Sequence, residues 1–197
     1  MLLFASTIIL RYNNRKSKGV FTMQEPEVSL RIAMKYIQDG MTNEDVVVSI
    51  DGAHVKTKDT MHFDIESFMR ENGYKKCDGN SGRWQGNYEN ASFSPRIIIC
   101  SKPGIGDVNI LLNDGRTLFV ESKKIKSGSG GEYPAMREAI GQLMTGCPDR
   151  ADVIPVVAVP YTAKSAERVR EWSSNARLRT AGIRFMLVHE NGNLELV

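Results

Sequence analysis

The fold is decided by residues 106–123, which have the sequence GDVNILLNDGRTLFVESK. Two apolar segments, 108–112 and 118–123, flank the turn-forming residues Asn113-Asp114-Gly115. Short apolar runs bounded by turn residues are typical of β-strands, and a short glycine-containing connection joins two strands antiparallel. The stretch therefore predicts a β-hairpin.

Two loop lengths are compatible with this hairpin, and they give different registers. A loop of two residues would pair Val108 with Glu121. A loop of three residues, with Gly115 in the left-handed conformation, pairs Val108 with Val120 and places Asp107 opposite Glu121. Because a shift of one residue moves every side chain to the other face, the apolar pairing favours the three-residue loop. A β-bulge near Gly106 would alter this end of the ladder.

Three charged residues converge in the predicted register. Glu121 and Lys123 are two residues apart on one strand, so their side chains project from the same face. Two carboxylates facing each other in a sheet repel unless something neutralises them, and Lys123 offsets one charge. A divalent cation with oxygen ligands, Mg²⁺ or Mn²⁺, would offset the rest. The alternative is structural, with Glu121 and Lys123 on an exposed edge and Asp107 capping a turn.

Other parts of the chain alternate between helical and strand patterns. Apolar spacing predicts helices over 27–38, 63–72, 134–146 and 163–180, and strands over 46–50, 96–100, 153–159, 183–188 and 194–197. The polar, glycine-rich segment 78–95 is predicted to be a loop. A meander of strands followed by helix-linked strands predicts an α/β protein, with a mixed central sheet covered by helices on both faces.

Length and composition favour one domain. The chain has 197 residues, of which 41% are hydrophobic and 25% charged. We predict a tail over 1–22, with Met23 a plausible true start, and one domain over 23–197 with its core at about 60–190. The net charge of +3 depends on four basic residues in this tail, so any affinity for nucleic acid must come from local patches.

Cysteine and histidine usage excludes several classes of protein. The three cysteines are scattered and form no CxxC pair, which argues against a zinc cage and is consistent with a reduced cytoplasm. The three histidines form no HxxxH or HxH pair. No apolar run reaches the length of a membrane helix, so we expect no membrane partner.

The acid–acid–lysine pattern resembles that of the PD-(D/E)xK nuclease superfamily. Its motif residues here are Asp107, Glu121 and Lys123, with Gly106 in place of the proline that precedes the first acid. The helix that follows contains the sequence AIGQL at 139–143, which is similar to the glutamine-bearing helix of several branches. The resemblance covers about residues 60–190 and implies a restriction-endonuclease-like fold.

The resemblance also implies a mechanism, metal-assisted hydrolysis of DNA phosphodiester bonds. Asp107, Glu121 and the main-chain carbonyl of Ser122 would hold Mg²⁺, with Mn²⁺ as a substitute. Lys123 would orient or deprotonate the attacking water and stabilise developing negative charge. Gln142 would hydrogen-bond near Lys123 or the phosphate, or else be a polar residue on the helix flank.

A further metal ligand is implied from the helix before the first core strand. Glu66 is the candidate, with Asp64 and Glu71 as rivals and a solvated helix acid as the alternative. Lys124, Lys126 and Arg83 are candidates for contacts with nucleic acid. The basic segment 164–184 would track phosphates or form a solvated helix face.

The residues and the resemblance lead to three hypotheses of function. The first is a restriction-endonuclease-like enzyme that cuts DNA, for which a homodimer is a candidate assembly. The second is a structure-specific or repair nuclease of the same fold. The third is a non-catalytic nucleic-acid-binding or assembly protein, against which the complete Asp107, Glu121 and Lys123 set argues.

Overall fold

The computed structural model describes residues 23–77, 83–125 and 132–197. The predicted tail over 1–22, Lys126 and the glycine-rich segment 127–131 lie outside these ranges. Within them, no helix is long and apolar enough to cross a membrane.

Eleven strands and six helices make up the described chain. The helices are α1 (Glu25–Gln38), α2 (Gly52–Val55), α3 (Ile65–Glu71), α4 (Glu132–Gly146), α5 (Ala163–Ser173) and α6 (Ala176–Thr180). The strands are β1 (Val46–Ser49), β2 (Lys56–Thr57), β3 (Thr60–Met61), β4 (Tyr74–Lys76), β5 (Gly86–Asn90), β6 (Phe93–Cys100), β7 (Val108–Leu111), β8 (Thr117–Ser122), β9 (Val153–Pro160), β10 (Arg184–Val188) and β11 (Leu194–Leu196).

Nine of these strands form one mixed sheet in the order β11-β10-β9-β8-β7-β1-β6-β5-β4, and β2 and β3 form a small separate ribbon. Most neighbours in the large sheet are antiparallel. The β1/β6, β8/β9 and β9/β10 pairs are parallel. The predicted α/β class with a mixed central sheet is thus confirmed.

The predicted meander from the 96–100 strand directly into the hairpin is wrong, because β1 lies between β6 and β7. The sequence of β1 is VVVS, and a nearly continuous apolar strand suits an interior position in a sheet. Asp45, immediately before β1, accepts hydrogen bonds from the main-chain N–H and the guanidinium of Arg96 at 2.8 and 2.6 Å. These bonds fix the start of β1 beside β6, so the first core strand comes from residue 46 onward.

Two other predictions need correction. The predicted loop over 78–95 contains β5 and the start of β6. Tyr88 of β5 is buried in the core, while the polar residues around it are more exposed. The predicted single helix over 163–180 is divided into α5 and α6. Asn175 caps α6 by accepting a hydrogen bond from the N–H of Arg177 at 2.9 Å.

Each face of the sheet is covered by a different helix layer. Helix α1 packs on one face, where Leu118 and Val120 of β8 contribute to its core cluster. Helices α4 and α5 pack on the other face, where Phe119 belongs to a second cluster. Because side chains alternate along a strand, Glu121 lies on the same face as Phe119, whereas Lys123 follows the end of β8 and contacts both α1 and α4.

We expect the packing of α1 to dominate stability. Leu30 of α1 is fully buried, and a Leu30→Ala substitution should lower the free energy of unfolding by about 2–5 kcal/mol through lost burial and a cavity. Leu111→Ala is the matched control, because 45% of Leu111 is exposed and its loss should change stability by less than about 0.5 kcal/mol. Urea denaturation measures both. Equal effects of the two substitutions would contradict the placement of α1 in the core.

Candidate active site

The β7–β8 hairpin has the predicted register. Val108 pairs with Val120, and the N–H of Leu112 donates to the carbonyl of Arg116 at 2.8 Å across a three-residue loop that ends at Gly115. The hairpin therefore brings the start of β7 to the end of β8, which is where the predicted site residues lie.

The ladder ends irregularly at Asp107. The N–H of Asp107 donates to the carbonyl of Val120 at 2.8 Å, although Val120 already pairs with Val108. On the other side, the carbonyl of Asp107 accepts from the N–H of Ser49 in β1 at 2.9 Å. Asp107 is thus displaced from the place directly opposite Glu121 that a regular ladder would give it.

The carboxylate of Asp107 reaches across to β8. Its Oδ2 accepts a hydrogen bond from the N–H of Ser122 at 2.7 Å. Ser122 is itself fully buried, and among the described residues its hydroxyl has no hydrogen-bond partner. Asp107 is therefore held by the main chain of both neighbouring strands, in a position that depends on the fold and not on a flexible side chain.

Gly106 makes this position possible. Its φ is +69°, and a Cβ atom there would lie 2.7 Å from Cε1 of Phe119. Proline, whose φ is held near −65°, could not adopt this backbone conformation. Glycine at this position thus has a physical reason, since the chain turns into β7 directly against a ring on β8.

Burial and like charge act together on Asp107. Desolvation first, and then the negative charge of Glu121, raise the pKa of Asp107 to about 8; the Ser122 N–H opposes this rise, and Glu25 and Lys123 have smaller effects of opposite sign. A buried carboxylate whose ionisation is disfavoured by a neighbouring acid is typical of a site that binds a cation or a proton. Glu121 is 8% exposed, and its burial, with the charges of Glu25 and Glu138, raises its pKa despite the attraction of Lys123.

Lys123 lies at the centre of the cluster and is 6% exposed. Burial alone would lower its pKa, but the negative charges of Glu25, Asp107 and Glu138 outweigh burial and hold the pKa above its usual value. Its Nζ lies 3.4 Å from Oε1 of Glu25 and 3.1 Å from Oε1 of Glu138. The lysine is therefore a charged, oriented donor.

Glu25 and Glu138 are site residues that the sequence analysis missed. Glu25 begins α1, two residues before the predicted helix start, and its Oε1 also lies 3.4 Å from Nδ1 of His54. Its separation of 98 residues from Lys123 left no local signal. Glu138 stands four residues before Gln142 on α4, one helical turn away, so the helical spacing of the AIGQL segment could have indicated it.

The structure does not bring Gln142 and Glu66 into this cluster. Gln142 is exposed, and Glu138 takes the contact with Lys123 that was predicted for it. Glu66 lies on α3 with its carboxylate 3.9 Å from Lys76 in β4, the edge strand. The predicted helix acid was sought on α3, whereas α1 is the helix that precedes β1 and supplies Glu25.

The predicted nucleic-acid contacts fall in different places. Lys124 is half-buried next to the site on the β8 side. Arg83 is exposed beside β4, where its carbonyl accepts from Lys76, so it lies far from β8 in the sheet. Lys126 is outside the described residues. In the basic segment 164–184, Arg168 stacks on Tyr133 of α4 with 4.2 Å between the guanidinium carbon and the ring centroid.

The donors at this site suit a hard cation with few protein ligands. Asp107 and Glu121 are desolvated carboxylates. The carbonyl of Ser122 belongs to the residue between Glu121 and Lys123. Among residues 23–77, 83–125 and 132–197, no group of three or more His, Cys, Asp or Glu side chains is placed to hold a metal ion. A cation here would take its remaining ligands from main-chain oxygens and water, which Mg²⁺ does readily.

Comparison with known proteins yields no relative. No protein-family model, no curated protein and no solved structure matches this chain.

Asp107 should make stability depend on pH in the absence of divalent cations. Its pKa of about 8 in the folded protein exceeds the unfolded value of about 3.9, so the folded state binds more protons between these values. The free energy of unfolding should therefore fall as pH rises from about 4 to about 8. Asp107→Asn should weaken this dependence, leaving the part that the raised pKa of Glu121 contributes, and should raise the thermal midpoint near pH 8 by about 2–4 °C for each kcal/mol recovered.

Thermal unfolding in EDTA between about pH 5 and pH 9 measures this effect. Glu66→Gln is the control, because this exposed acid should leave the pH profile unchanged. Superimposable profiles for wild type and Asp107→Asn would contradict the buried, charge-coupled state of Asp107.

Gly106→Ala should destabilise the protein more than a comparable change at Gly104. Both glycines have positive φ, but a Cβ at Gly104 meets nothing within 4 Å, whereas one at Gly106 collides with Phe119. The shared backbone strain costs about 1 kcal/mol at each position, and the collision adds about 1–3 kcal/mol at Gly106 alone. Urea midpoints of the two variants give the comparison, and equal losses would show that the contact with Phe119 is unimportant.

Proposed function

We propose that this chain is a Mg²⁺-dependent nuclease that hydrolyses DNA phosphodiester bonds, with a site of the PD-(D/E)xK type. The observation that carries the proposal is the convergence of Asp107, Glu121 and Lys123 where β7 begins and β8 ends. Glu121 and Lys123 are buried, and Asp107 is displaced from its regular position in the β7–β8 ladder. Solvated surface charges do not require such an arrangement, since an isolated buried charge is costly.

The sheet supports a restriction-endonuclease-like fold. An antiparallel hairpin carries the acids, and α4 links it to a parallel strand, β9. The resemblance to the superfamily implies the same order of elements around the motif: a hairpin, then a helix, then a strand.

Each residue has a role that follows from its position. Asp107 and Glu121, with the main-chain carbonyl of Ser122, would hold Mg²⁺, which would polarise the phosphate and make a bound water more acidic. Lys123 presents its ammonium group to the same region and would orient the attacking water and stabilise negative charge on the phosphate oxygens. Glu25 and Glu138 keep that ammonium protonated and fixed in direction.

Cleavage assays test the proposal directly. Supercoiled plasmid, linear duplex and single-stranded DNA are tested side by side, and at least one of them should be cut in Mg²⁺ or Mn²⁺ but not in EDTA. Asp107→Asn, Glu121→Gln and Lys123→Met should each reduce the rate by about 100-fold or more. Glu66→Gln is the matched control and should cut at the wild-type rate, because Glu66 lies near β4 and not near Lys123.

Metal binding gives an independent measurement. Mg²⁺ should raise the thermal midpoint of the wild type, and the rise should be lost in Asp107→Asn. If folded wild-type protein cuts none of the substrates, the nuclease proposal is wrong. Retained DNA binding in that case would favour the non-catalytic role.

A further inference from the structure

A pair of aromatic rings lies at the same edge of the sheet as the candidate active site. Strands β8, β9 and β10 are parallel, so their C-terminal ends lie together. Lys123 follows β8, Tyr161 follows β9, and His189 follows β10. The last register pair between β9 and β10 joins Pro160 to Val188, which makes Tyr161 and His189 neighbours on adjacent chains.

The two rings are stacked and held in place by the main chain. Their centroids are 4.1 Å apart and their planes differ by 18°. The N–H of Tyr161 donates to the carbonyl of Val188 at 2.8 Å, and the N–H of His189 donates to the carbonyl of Asn193 at 2.9 Å. The imidazole Nε2 also lies 3.8 Å from the carboxylate of Glu195. The pair is therefore an ordered feature of the fold.

Tyr161 is nevertheless 43% exposed. Among the described residues its hydroxyl has no hydrogen-bond partner, so the ring is not placed there to satisfy a buried polar group. It also belongs to neither of the two core clusters. An ordered aromatic ring supported by a second ring and open to solvent is suited to stacking with a further planar group.

Strand alternation places Tyr161 on the same side of the sheet as Glu121. Glu121 is the register partner of Val157, and Tyr161 lies four residues after Val157, an even number that preserves the face. The N–H of Lys123 donates to the carbonyl of Ala158 at 2.9 Å, and Tyr161 lies three residues, or about 10 Å, beyond Ala158, just past the end of β9. A strand with a phosphate at Lys123 could therefore place a nearby base on this ring.

We infer that Tyr161, supported by His189, is a stacking platform for an unpaired base of the DNA strand that is cut. This inference rests on the proposed nuclease function and specifies which form of DNA is its substrate. Every base has a π-face that can stack on an aromatic side chain without regard to sequence. In a duplex those faces are covered by neighbouring base pairs, so the platform selects single-stranded or locally opened DNA.

Fluorescence anisotropy in EDTA tests the inference by binding alone. The probe is a fluorescein-labelled single-stranded oligonucleotide of about 12 nucleotides, compared with its duplex. Tyr161→Ala should bind the single strand about 5- to 100-fold more weakly than wild type, with less than about a twofold change for the duplex. Tyr161→Phe keeps the ring and should bind within about twofold of wild type.

Two controls separate stacking from other effects. Met61→Ala removes an exposed apolar side chain on β3 and should leave affinity unchanged. An oligonucleotide of the same length made of abasic sites retains the phosphates but offers no base, and wild type and Tyr161→Ala should bind it equally. Thermal midpoints confirm that the variants are folded, as expected for a side chain at the surface.

The outcomes distinguish this inference from the proposed function. If Tyr161→Ala binds the single strand as wild type does, or weakens single strand, duplex and abasic strand equally, the platform is wrong. Metal-dependent cleavage would remain valid in either case. A wild-type protein that neither binds nor cuts any of the DNAs would overturn both.

Discussion

The structure depends on the register between β7 and β8. The pairing of Val108 with Val120 aligns one strand's apolar face with the other's, and the same alignment brings Asp107 to the end of β8. A slip of one residue would turn Glu121 toward α1 and Phe119 out of its cluster. Hydrophobic packing and the assembly of the charged cluster are thus decided by a single choice of register.

The charged cluster is costly to bury, and its members are stable only together. Lys123 has the carboxylates of Glu25 and Glu138 within 3.4 Å, and its positive charge also attracts Glu121. Asp107 is the exception to this balance, because the N–H of Ser122 and the more distant Lys123 do not offset its burial and the neighbouring acids. Removing one partner from such a group leaves the others uncompensated, which is more damaging than never burying them. An acid with a strongly raised pKa lowers the free energy of unfolding, and such destabilising groups are typical of functional sites.

Local patterns in the sequence were sufficient for the elements that carry the motif. The hairpin, the helix from 134 to 146 and the strand from 153 were predicted because their apolar spacing and turn residues act over a few positions. The place of β1 between β6 and β7 could not be predicted in this way, since it depends on contacts such as Asp45 with Arg96, 51 residues apart. Strand β5 was missed because one buried residue, Tyr88, stands among polar neighbours that alternate outward.

The same distinction applies to the charged cluster. Asp107, Glu121 and Lys123 were found because they share one hairpin, whereas Glu25 comes from a helix at the other end of the domain. Glu66 was preferred because α3 comes immediately before the segment then taken as the first core strand. Once β1 is recognised as the neighbour of β7, α1 becomes the helix that precedes the core, and its first residue faces Lys123. The error in strand order thus explains why Glu66, and not Glu25, was chosen as the third acid.

Topology explains why one edge of the sheet collects the chemical groups. Strand β7 is antiparallel to β8, so its beginning meets the end of β8, and the parallel strands β9 and β10 end at the same edge. Helix α4 starts from this edge and carries Glu138 back to Lys123. The opposite end of the hairpin holds the tight turn at Gly115, where the chain needs a left-handed residue and where the side-chain amide of Asn113 donates to the carbonyl of Gly40 at 2.7 Å. Sequence at that end is therefore constrained by the backbone, while sequence at the end with Lys123 is constrained by charge, and the two ends should tolerate different kinds of substitution.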